Sequence, residues 1–510
     1  MVKKRLLLLL NLTLFVFILI YFTQISPLVP FDGDDWRYIG GIRLPFPMWG
    51  VWNPTKVLPE TLMAVGGYIA AFVILPFSGD YINSLIFTEA TIFSLFIMAF
   101  LLTYYKLLTN RFRYGRNISL ASELTFFVSF FLLFKHLNYP SYSGFWTVDL
   151  TCVFNYLIPN LLNASMVMYM EQFDNFYLEF KTMSNIKKGI FILCLYFTLF
   201  SSTQATIIIA TYSFFKIIQI FVQERWKLTL DYLKKVSPYL VILFIWIVTV
   251  IFDLNGQRSK SVQGANRGTF ADEISATLRQ FNSFLKIQNT KVVYAFGVVI
   301  VFAIICCIVI AKHNTNNSNL FISSLLNSIF GIVVASMYLV IAYSKAGSQY
   351  AARPDAMWPI IFFFLFATNI SFIYLINNFS FLKPFLPIFI VLISLISFSF
   401  NYQQVPATNA PYSAKTAKRV DNYIISQIIR ADEEGKSKVV VKVPLDSTDA
   451  NPRVSASNWP HSYDMAIWLQ NTLYSHKIIR TRFKIEFKPD NSVNKRFYES
   501  RNQQPFAPLE

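Results

Sequence analysis

The fold is decided by the first stretch of the chain, "MVKKRLLLLLNLTLFVFILIYF" (residues 1–22), in which three basic residues precede a long apolar run. A run of about 20 apolar residues spans the hydrocarbon core of a bilayer as a helix. No small-residue cleavage site follows the run, as a secretory signal peptide would require. We therefore predict an uncleaved first transmembrane helix whose start is held in the cytoplasm by Lys3, Lys4 and Arg5.

The amino-acid composition extends this prediction to most of the chain. Of its 510 residues, 54% are hydrophobic and 14% are charged. A soluble domain is about 45–50% apolar and about 25% charged. The apolar residues are also clustered in runs of about 20. We therefore expect an all-α polytopic protein that passes many times through the cell membrane.

The net charge of +17 does not indicate a nucleic-acid partner. Much of the basic charge lies in short loops between apolar runs, where Lys and Arg orient a membrane protein. The four cysteines and four histidines lack the spacing of a zinc site or of a disulfide framework. The spacing therefore predicts no metal ligands.

The basic clusters order the apolar runs into eleven predicted spans, with a cytoplasmic N-terminus and an external C-terminal region. If residues 62–77 crossed the membrane, the basic cluster of residues 111–116 would lie outside, against the positive-inside rule. This run is also short, contains Gly66 and Gly67, and is preceded by Pro54 and Pro59. We therefore predict a helix that lies at the outer membrane surface or is partly sunk in it. After the first helix, the predicted spans are residues 81–105, 118–134, 156–173, 189–200, 205–222, 237–252, 292–310, 320–343, 356–376 and 384–400.

The composition becomes polar near Asn401, which predicts a domain boundary. Residues 1–401 are the predicted transmembrane domain, whose first outer loop, residues 24–80, is the candidate catalytic loop. Residues 402–510 are predicted to form a small extracytoplasmic α/β domain. The patterns that predict helix, strand, helix and strand there are "AKRVDNYIISQIIRADEEG" (417–435), "KVVVKV" (438–443), "SYDMAIWLQNTLYSHK" (462–477) and "IIRTRFKIEF" (478–487).

The residues suited to chemistry collect at the predicted outer face, beginning with "FDGDDWRYIG" (residues 31–40) just beyond the first span. Transporters more often place ionisable groups near the membrane midplane, where this sequence offers chiefly Glu89 and Glu123. The pattern favours chemistry on a substrate that approaches from the bilayer. The candidates are the acids Asp32, Asp34 and Asp35, the cations Lys56, Arg258, Arg267 and Arg353, and the aromatic residues Trp146 and Tyr156.

One reaction type suits acids and cations at a membrane surface. When a sugar is carried on a polyprenyl phosphate, the leaving group is a membrane-tethered phosphate that Arg or Lys can neutralise. The attacking hydroxyl needs a base, and a carboxylate close to the surface can accept its proton. Aromatic side chains give a flat apolar surface on which sugar rings stack.

Short motifs carry a resemblance to a known class of enzymes. They are "DGDDW" (32–36) after the first helix, "WNPTK" (52–56) before the surface helix and "FNYLIPNLL" (154–162) after the second outer loop. With this layout, the chain resembles the GT-C class of integral membrane glycosyltransferases, whose first outer loop carries an acidic motif. "NWPHSYDMAIWLQNTLYSHKII" (458–479) is similar to segments of envelope proteins of Gram-positive bacteria. The resemblance covers most of the chain in layout and only short motifs in sequence.

The resemblance implies a hexosyltransferase that moves a sugar from a polyprenyl-phosphate donor to a cell-envelope glycan, teichoic acid or lipid acceptor. Direct displacement would invert the anomeric centre. A divalent metal ion bridging Asp34 and the phosphate is compatible with this chemistry, but no ligand set in the sequence requires one. The implied roles are Asp34 or Asp35 as base within the cluster that includes Asp32, Arg353 and Arg258 as phosphate ligands with Arg267 and Lys56 as further candidates, and Trp146 and Tyr156 at the sugar.

Each of these residue types also has an ordinary structural role. Acids cap surface helices, interfacial arginines pair with lipid headgroups, and aromatic residues form belts at membrane interfaces. Two other functions are open. A flippase or transporter of lipid-linked sugars would use Glu89 and Glu123, whereas a non-catalytic envelope assembly protein would bind partners through its C-terminal domain.

Overall fold

The computed structural model describes residues 2–30, 33–41, 54–135, 142–147, 149–255, 268–310, 315–388, 391, 394–395, 414–444 and 463–497. Within these residues the chain is mostly helical, with one pair of strands, which confirms the predicted all-α polytopic character. The elements are α1 (Val2–Ile20, continued by the π-helical turn Tyr21–Ile25), α2 (Gly33–Gly40), α3 (Val57–Ser78), α4 (Tyr81–Asn110), α5 (Arg116–Leu132), α6 (Leu150–Glu171), α7 (Phe176–Thr182), α8 (Asn185–Leu199), α9 (Thr203–Gln223), α10 (Leu230–Leu254), α11 (Phe270–Lys286), α12 (Thr290–Ile310), α13 (Thr315–Ala346), α14 (Trp358–Asn378), α15 (Ala414–Glu433), β1 (Lys438–Val443), α16 (Tyr463–Ser475), β2 (Lys484–Pro489) and α17 (Asn491–Phe497).

Among the described residues, nine helices are long and apolar enough to cross a membrane. Eight of them coincide with predicted spans, and the ninth is α3. The predicted spans at residues 118–134 and 189–200 are helices of only 17 and 15 residues. At 1.5 Å per residue these are shorter than a hydrocarbon core of about 30 Å. The predicted span at residues 384–400 lies largely outside the described residues, so the count of eleven stays a prediction.

The structure corrects the length of the predicted surface helix. Residues 62–77 belong to α3, a continuous helix of 22 residues. Pro59 does not shorten it, because proline in the first helical turn removes no intrahelical hydrogen bond. Gly66 and Gly67 do not interrupt it either. They lie where α3 packs closely on its neighbours, Gly66 against Glu89 of α4 and Gly67 against Ile39 of α2. The position of α3 at the outer surface stays a prediction.

The membrane helices pack around α6, α9 and α14. Helix α9 contacts α6, α10 and α13, while α14 contacts α5, α12 and α13. Aromatic side chains fill the interior: the indole of Trp358 stacks on Phe130 and Phe362, with ring centroids 5.4 and 5.7 Å apart. Lipid is as apolar as these side chains, so packing and polar contacts hold such helices together.

The two helices and the first strand of the C-terminal region lie where the sequence patterns predict them. The second strand, predicted over residues 478–487, begins only at Lys484. Strands β1 and β2 pair in parallel, and α16 lies between them in the chain. Helix α15 packs on β1 and ends before Gly435, whose positive φ of 62° suits glycine. The buried side chains of this region continue the core of the membrane helices. The boundary near residue 401 stays a prediction.

Candidate functional site

Helix α2 carries two of the three predicted acids at one end of the helix bundle. Asp34 is exposed, whereas Asp35 is fully buried. Asp35 Oδ1 accepts hydrogen bonds from the Thr151 backbone N–H at 2.6 Å and from the Thr151 hydroxyl at 2.8 Å. The end of the bundle that carries α2 and the first turn of α6 is called the site face below.

The first turn of α6 is fixed by Asp149, which caps the helix. Asp149 Oδ1 accepts a hydrogen bond from the backbone N–H of Cys152 at 2.6 Å, which satisfies an amide that the helix itself leaves unpaired. Burial raises the pKa of Asp149, and the positive charge of Arg353 opposes this increase. The cap therefore aligns Thr151 for Asp35 and places Asp149 beside Arg353.

Arg353 is held in place by several contacts on the site face. Its Nη2 lies 2.6 Å from Asp355 Oδ2 and its Nε lies 3.1 Å from Asp355 Oδ1, so the guanidinium and the carboxylate pair through two bonds. Nη2 also lies 3.1 Å from Cys152 Sγ. The guanidinium carbon lies 5.1 and 5.2 Å from the ring centroids of Tyr156 and Tyr350, within cation–π range.

A cavity of about 330 Å³ opens next to this cluster. Tyr156 and Tyr350, which flank Arg353, also line the cavity. Asn155, which lines the cavity, donates a hydrogen bond from its side-chain amide to the Thr151 carbonyl at 3.0 Å. Thr151 in turn donates to Asp35 of α2, so Asn155 and Thr151 link the cavity to this helix. The remaining lining residues are Lys56, Ser202, Thr203, Gln204, Val250, Asp253, Leu254, Tyr338, Ile341, Ala342, Tyr343, Lys345 and Ala346.

Lys56 enters the cavity from the start of α3. Its backbone has a positive φ of 62°, and its N–H donates to the Phe200 carbonyl at 2.6 Å. Its ammonium lies 3.7 Å from Asp253 Oδ1, and Thr203 donates to Asp253 Oδ2 at 2.7 Å. One pair of opposite charges therefore lies in the cavity, and Lys345 adds a second cation to its lining.

The cavity lies between α10 and α13, which both pack on α9. The two helices meet at Trp246 and Tyr338, whose ring centroids are 5.8 Å apart. The cavity-lining residues follow Trp246 in α10, and in α13 they begin at Tyr338 and extend about two turns towards its C-terminal end. Apolar side chains of the two helices that do not line the cavity, such as Ile251 and Met337, are more than half exposed.

The C-terminal region packs on the acid-bearing helix. The hydroxyl of Thr472 in α16 donates to the Trp36 carbonyl of α2. The guanidinium of Arg37 lies 4.9 Å from the ring of Trp468. A side chain at Gly40 would meet the backbone of Thr472, so α2 and α16 are in close contact.

His476 follows α16 and is buried among α2, α3 and α4. Its Nδ1 lies 2.6 Å from the Tyr81 hydroxyl of α4, and its ring packs edge-on against Tyr68 of α3. Burial lowers the pKa of His476 from 6.5 to about 4, and a hydrogen bond at the Ile39 backbone opposes that decrease. A neutral imidazole therefore links the C-terminal region to three helices of the site face.

The structure brings several predicted site residues together. Lys56 and Tyr156 line the cavity, and Arg353 lies against Tyr156. Asp35 is linked to the cavity only through Thr151, whose carbonyl accepts a hydrogen bond from the lining residue Asn155. Trp146 is buried against Tyr142 in the segment before α6 and does not line the cavity. Asp32, Arg258 and Arg267 lie outside the described residues.

The sequence-based prediction missed three acids of the site face. Asp355 lies two residues after Arg353 and could have been recognised as its partner from that spacing. Asp149 stands before a helix, in the position of an N-terminal cap. Asp253 directly follows a predicted span, and no local pattern predicts its contact with Lys56, which is almost 200 positions away.

Within the described part of the chain, no three His, Cys, Asp or Glu side chains are grouped as they would be to hold a metal ion. Outside the site face, the membrane helices bury Glu89 and Glu123, and their carboxylate oxygens have no hydrogen-bond partner among the described residues. Intramembrane acids of this kind often serve in transport pathways.

Comparisons with known proteins leave the geometry as the guide to function. The sequence matches no family model, no curated protein and no solved structure.

Proposed function

We propose that the protein is an inverting membrane glycosyltransferase that moves a sugar from a polyprenyl-phosphate carrier to a cell-envelope glycan, teichoic acid or lipid acceptor. The supporting observation is the cavity of the site face, which is lined by two lysines, several tyrosines and polar side chains and is linked to Asp35 through Asn155 and Thr151. The cavity borders the apolar helices α10 and α13, so a lipid-borne substrate can reach it from the bilayer.

In this proposal, the residues of the site face have separate roles in the reaction. Lys56 and Lys345 neutralise the phosphate that leaves, because ammonium groups bind phosphate as point charges. Asp34 is exposed and accepts the proton of the attacking hydroxyl. Asp35 anchors α2 to Thr151 and so positions Asp34. Tyr156 and Tyr350 offer ring faces to the sugar.

The test is sugar transfer by the purified protein in lipid vesicles, supplied with a panel of polyprenyl-phosphate sugars. Wild type should transfer one of them, and Asp34→Asn should lose transfer while it still binds the donor. Removal of a general base typically costs about 10²–10⁴-fold in rate. The control is Asp80→Asn, because Asp80 caps α4 away from the cavity. Full transfer by both Asp34→Asn and Asp35→Asn would contradict this site.

A flippase or transporter of lipid-linked sugars is the second candidate, because Glu89 and Glu123 are buried without partners among the described residues. This function predicts that Glu89→Gln or Glu123→Gln blocks movement of the carrier lipid across vesicles. It also predicts that Asp34→Asn leaves that movement unchanged. Sugar transfer that survives both glutamate substitutions would favour the glycosyltransferase.

A further inference from the structure

Helix α11 presents three stripes of side chains, each repeating every seven residues. One stripe is buried in the protein, one is apolar and exposed, and one is charged and exposed. In that order, the stripes are Thr277 with Phe284, Leu278 with Leu285, and Asp272 with Arg279 and Lys286.

The three stripes point in three directions. Successive helical residues are about 100° apart around the axis. The leucine stripe therefore lies about 100° from the buried stripe, and the charged stripe lies about 100° further on. A helix that lies flat at a membrane surface beside other helices needs such a division into a protein side, a lipid side and a water side.

The leucine stripe lies close in the chain to an exposed apolar helix. Three residues, 287–289, separate Lys286 from α12, which is the least buried candidate membrane span among the described residues. Tyr294 and Val298 in its first turns are 71% and 67% exposed. Lys291 at the junction is exposed, and basic side chains of this kind reach towards lipid headgroups.

We propose that α11 is an interfacial helix, with Leu278 and Leu285 inserted at the boundary between headgroups and acyl chains and Arg279 and Lys286 in water. The occupant of the leucine stripe is the bilayer itself. The short connection to α12, a candidate membrane span with exposed apolar side chains, favours lipid over a second copy of the chain.

This placement ties the cavity to the membrane surface. Helix α11 packs on α13 and on the 3₁₀ turn Ser348–Ala352, which directly precedes Arg353. The Lys345 ammonium, which lines the cavity, lies 5.6 Å from the ring centroid of Phe270 at the start of α11. The bilayer thereby supports one rim of the cavity at a fixed depth.

The experiment compares neighbouring positions with spin labels. Leu278→Cys, Leu285→Cys, Arg279→Cys and Lys286→Cys are each labelled in the full-length protein in phosphatidylethanolamine and phosphatidylglycerol vesicles. The unsubstituted protein, with its four native cysteines, gives the background. Relaxation is measured with oxygen, which concentrates among acyl chains, and with a water-soluble nickel chelate.

Oxygen should relax the label more than nickel at both leucine positions, and the order should reverse at Arg279→Cys and Lys286→Cys. A preference for nickel at the leucine positions would place the stripe in water and overturn the proposal. Protection from both reagents would show that protein, either the rest of the chain or a second copy, covers the stripe, and would overturn it too.

A second measurement needs no substitution. A lipid-soluble diazirine should label Leu278 and Leu285 of the unmodified protein, and a water-soluble one should label the Arg279 side. If only the water-soluble diazirine labelled the two leucines, the interfacial position would be contradicted, regardless of the results with the spin-labelled variants.

Discussion

At the scale of single residues, Arg353 depends on Asp355 for its place on the site face. The side chain of Asp355 is fully buried and that of Arg353 is 18% exposed. Removing one partner of a buried pair costs about 3–5 kcal/mol, because the other charge stays buried. We expect Asp355→Ala to lower the free energy of unfolding by that amount, measured by denaturation in detergent micelles.

The matched control for this prediction removes both charges. Arg353→Met combined with Asp355→Leu should cost less than Asp355→Ala alone, because the guanidinium is removed together with the carboxylate that pairs with it. An equal loss in the single and double variants would mean that packing, and not the charge pair, determines the stability of this site.

His476 gives the site face a predicted dependence on pH. Its pKa is about 4 in the folded protein, whereas an unburied histidine has a pKa of 6.5. Between these pH values the unfolded chain binds a proton that the folded protein does not bind. Stability is therefore fully present above pH 6.5 and decreases as the pH falls towards 4. The loss approaches about 3 kcal/mol, at about 1.4 kcal/mol per pH unit.

The measurement is the melting temperature of wild type and His476→Gln at pH 7.5, 5.5 and 4.5. The variant should be less stable at pH 7.5 but should lose less stability on acidification, since its side chain binds no proton. Parallel curves for the two proteins would show that other groups cause the pH dependence.

At the scale of elements, the close approach of α2 and α3 depends on glycine. A Cβ at Gly67 would lie 2.5 Å from the Ile39 carbonyl oxygen, which belongs to the backbone. A Cβ at Gly66 would meet the carboxylate of Glu89 at 2.6 Å, which is the end of a flexible side chain. We therefore expect Gly67→Ala to separate α2 from α3 and to destabilise the protein more than Gly66→Ala.

The measurement is hydrogen exchange of the α2 backbone amides, which should quicken in Gly67→Ala. Gly297→Ala in α12 is the control, because no atom lies within 4 Å of a Cβ there. Alanine favours a helix over glycine by about 1 kcal/mol, so that variant should be as stable as wild type or more. Unchanged exchange in Gly67→Ala would contradict the close approach.

Sequence patterns predict elements better than they predict contacts. Long apolar runs predict the membrane helices, and the strand "KVVVKV" lies where its pattern predicts it. The predicted length of α3 was wrong. Pro59 and the Gly66–Gly67 pair indicate a break in a helix when the residues that pack against them are not known. The partner of Lys56 at Asp253 could not be predicted, since it depends on how α3 and α10 pack.

At the scale of the whole molecule, the number of crossings fixes which side each terminus occupies. The predicted arrangement places the C-terminal region outside. In the structure, His476 and Tyr81 are in contact, so the turn before α4 lies on the same face as the end of α16. We predict that Ser78→Cys and Lys477→Cys react with a membrane-impermeant maleimide in intact cells.

The control position lies in the predicted cytoplasmic loop that follows α4. Arg113→Cys should react only after the cells are permeabilised, and the unsubstituted protein reports the reactivity of the native cysteines. Labelling of Arg113→Cys in intact cells would reverse the predicted orientation. Labelling of Ser78→Cys without Lys477→Cys would contradict the contact at His476.

The hydrogen bond from Thr472 to Trp36 joins residues that are 436 positions apart. A ribosome makes the chain from its N-terminus, so α2 enters the membrane environment long before α16 exists. Until α16 is synthesised, the helix with Asp34 and Asp35 lacks its covering contact. Synthesis of α16 is thus the event that closes this end of the molecule, and nascent chains stopped before it would carry the acids in an unsupported helix.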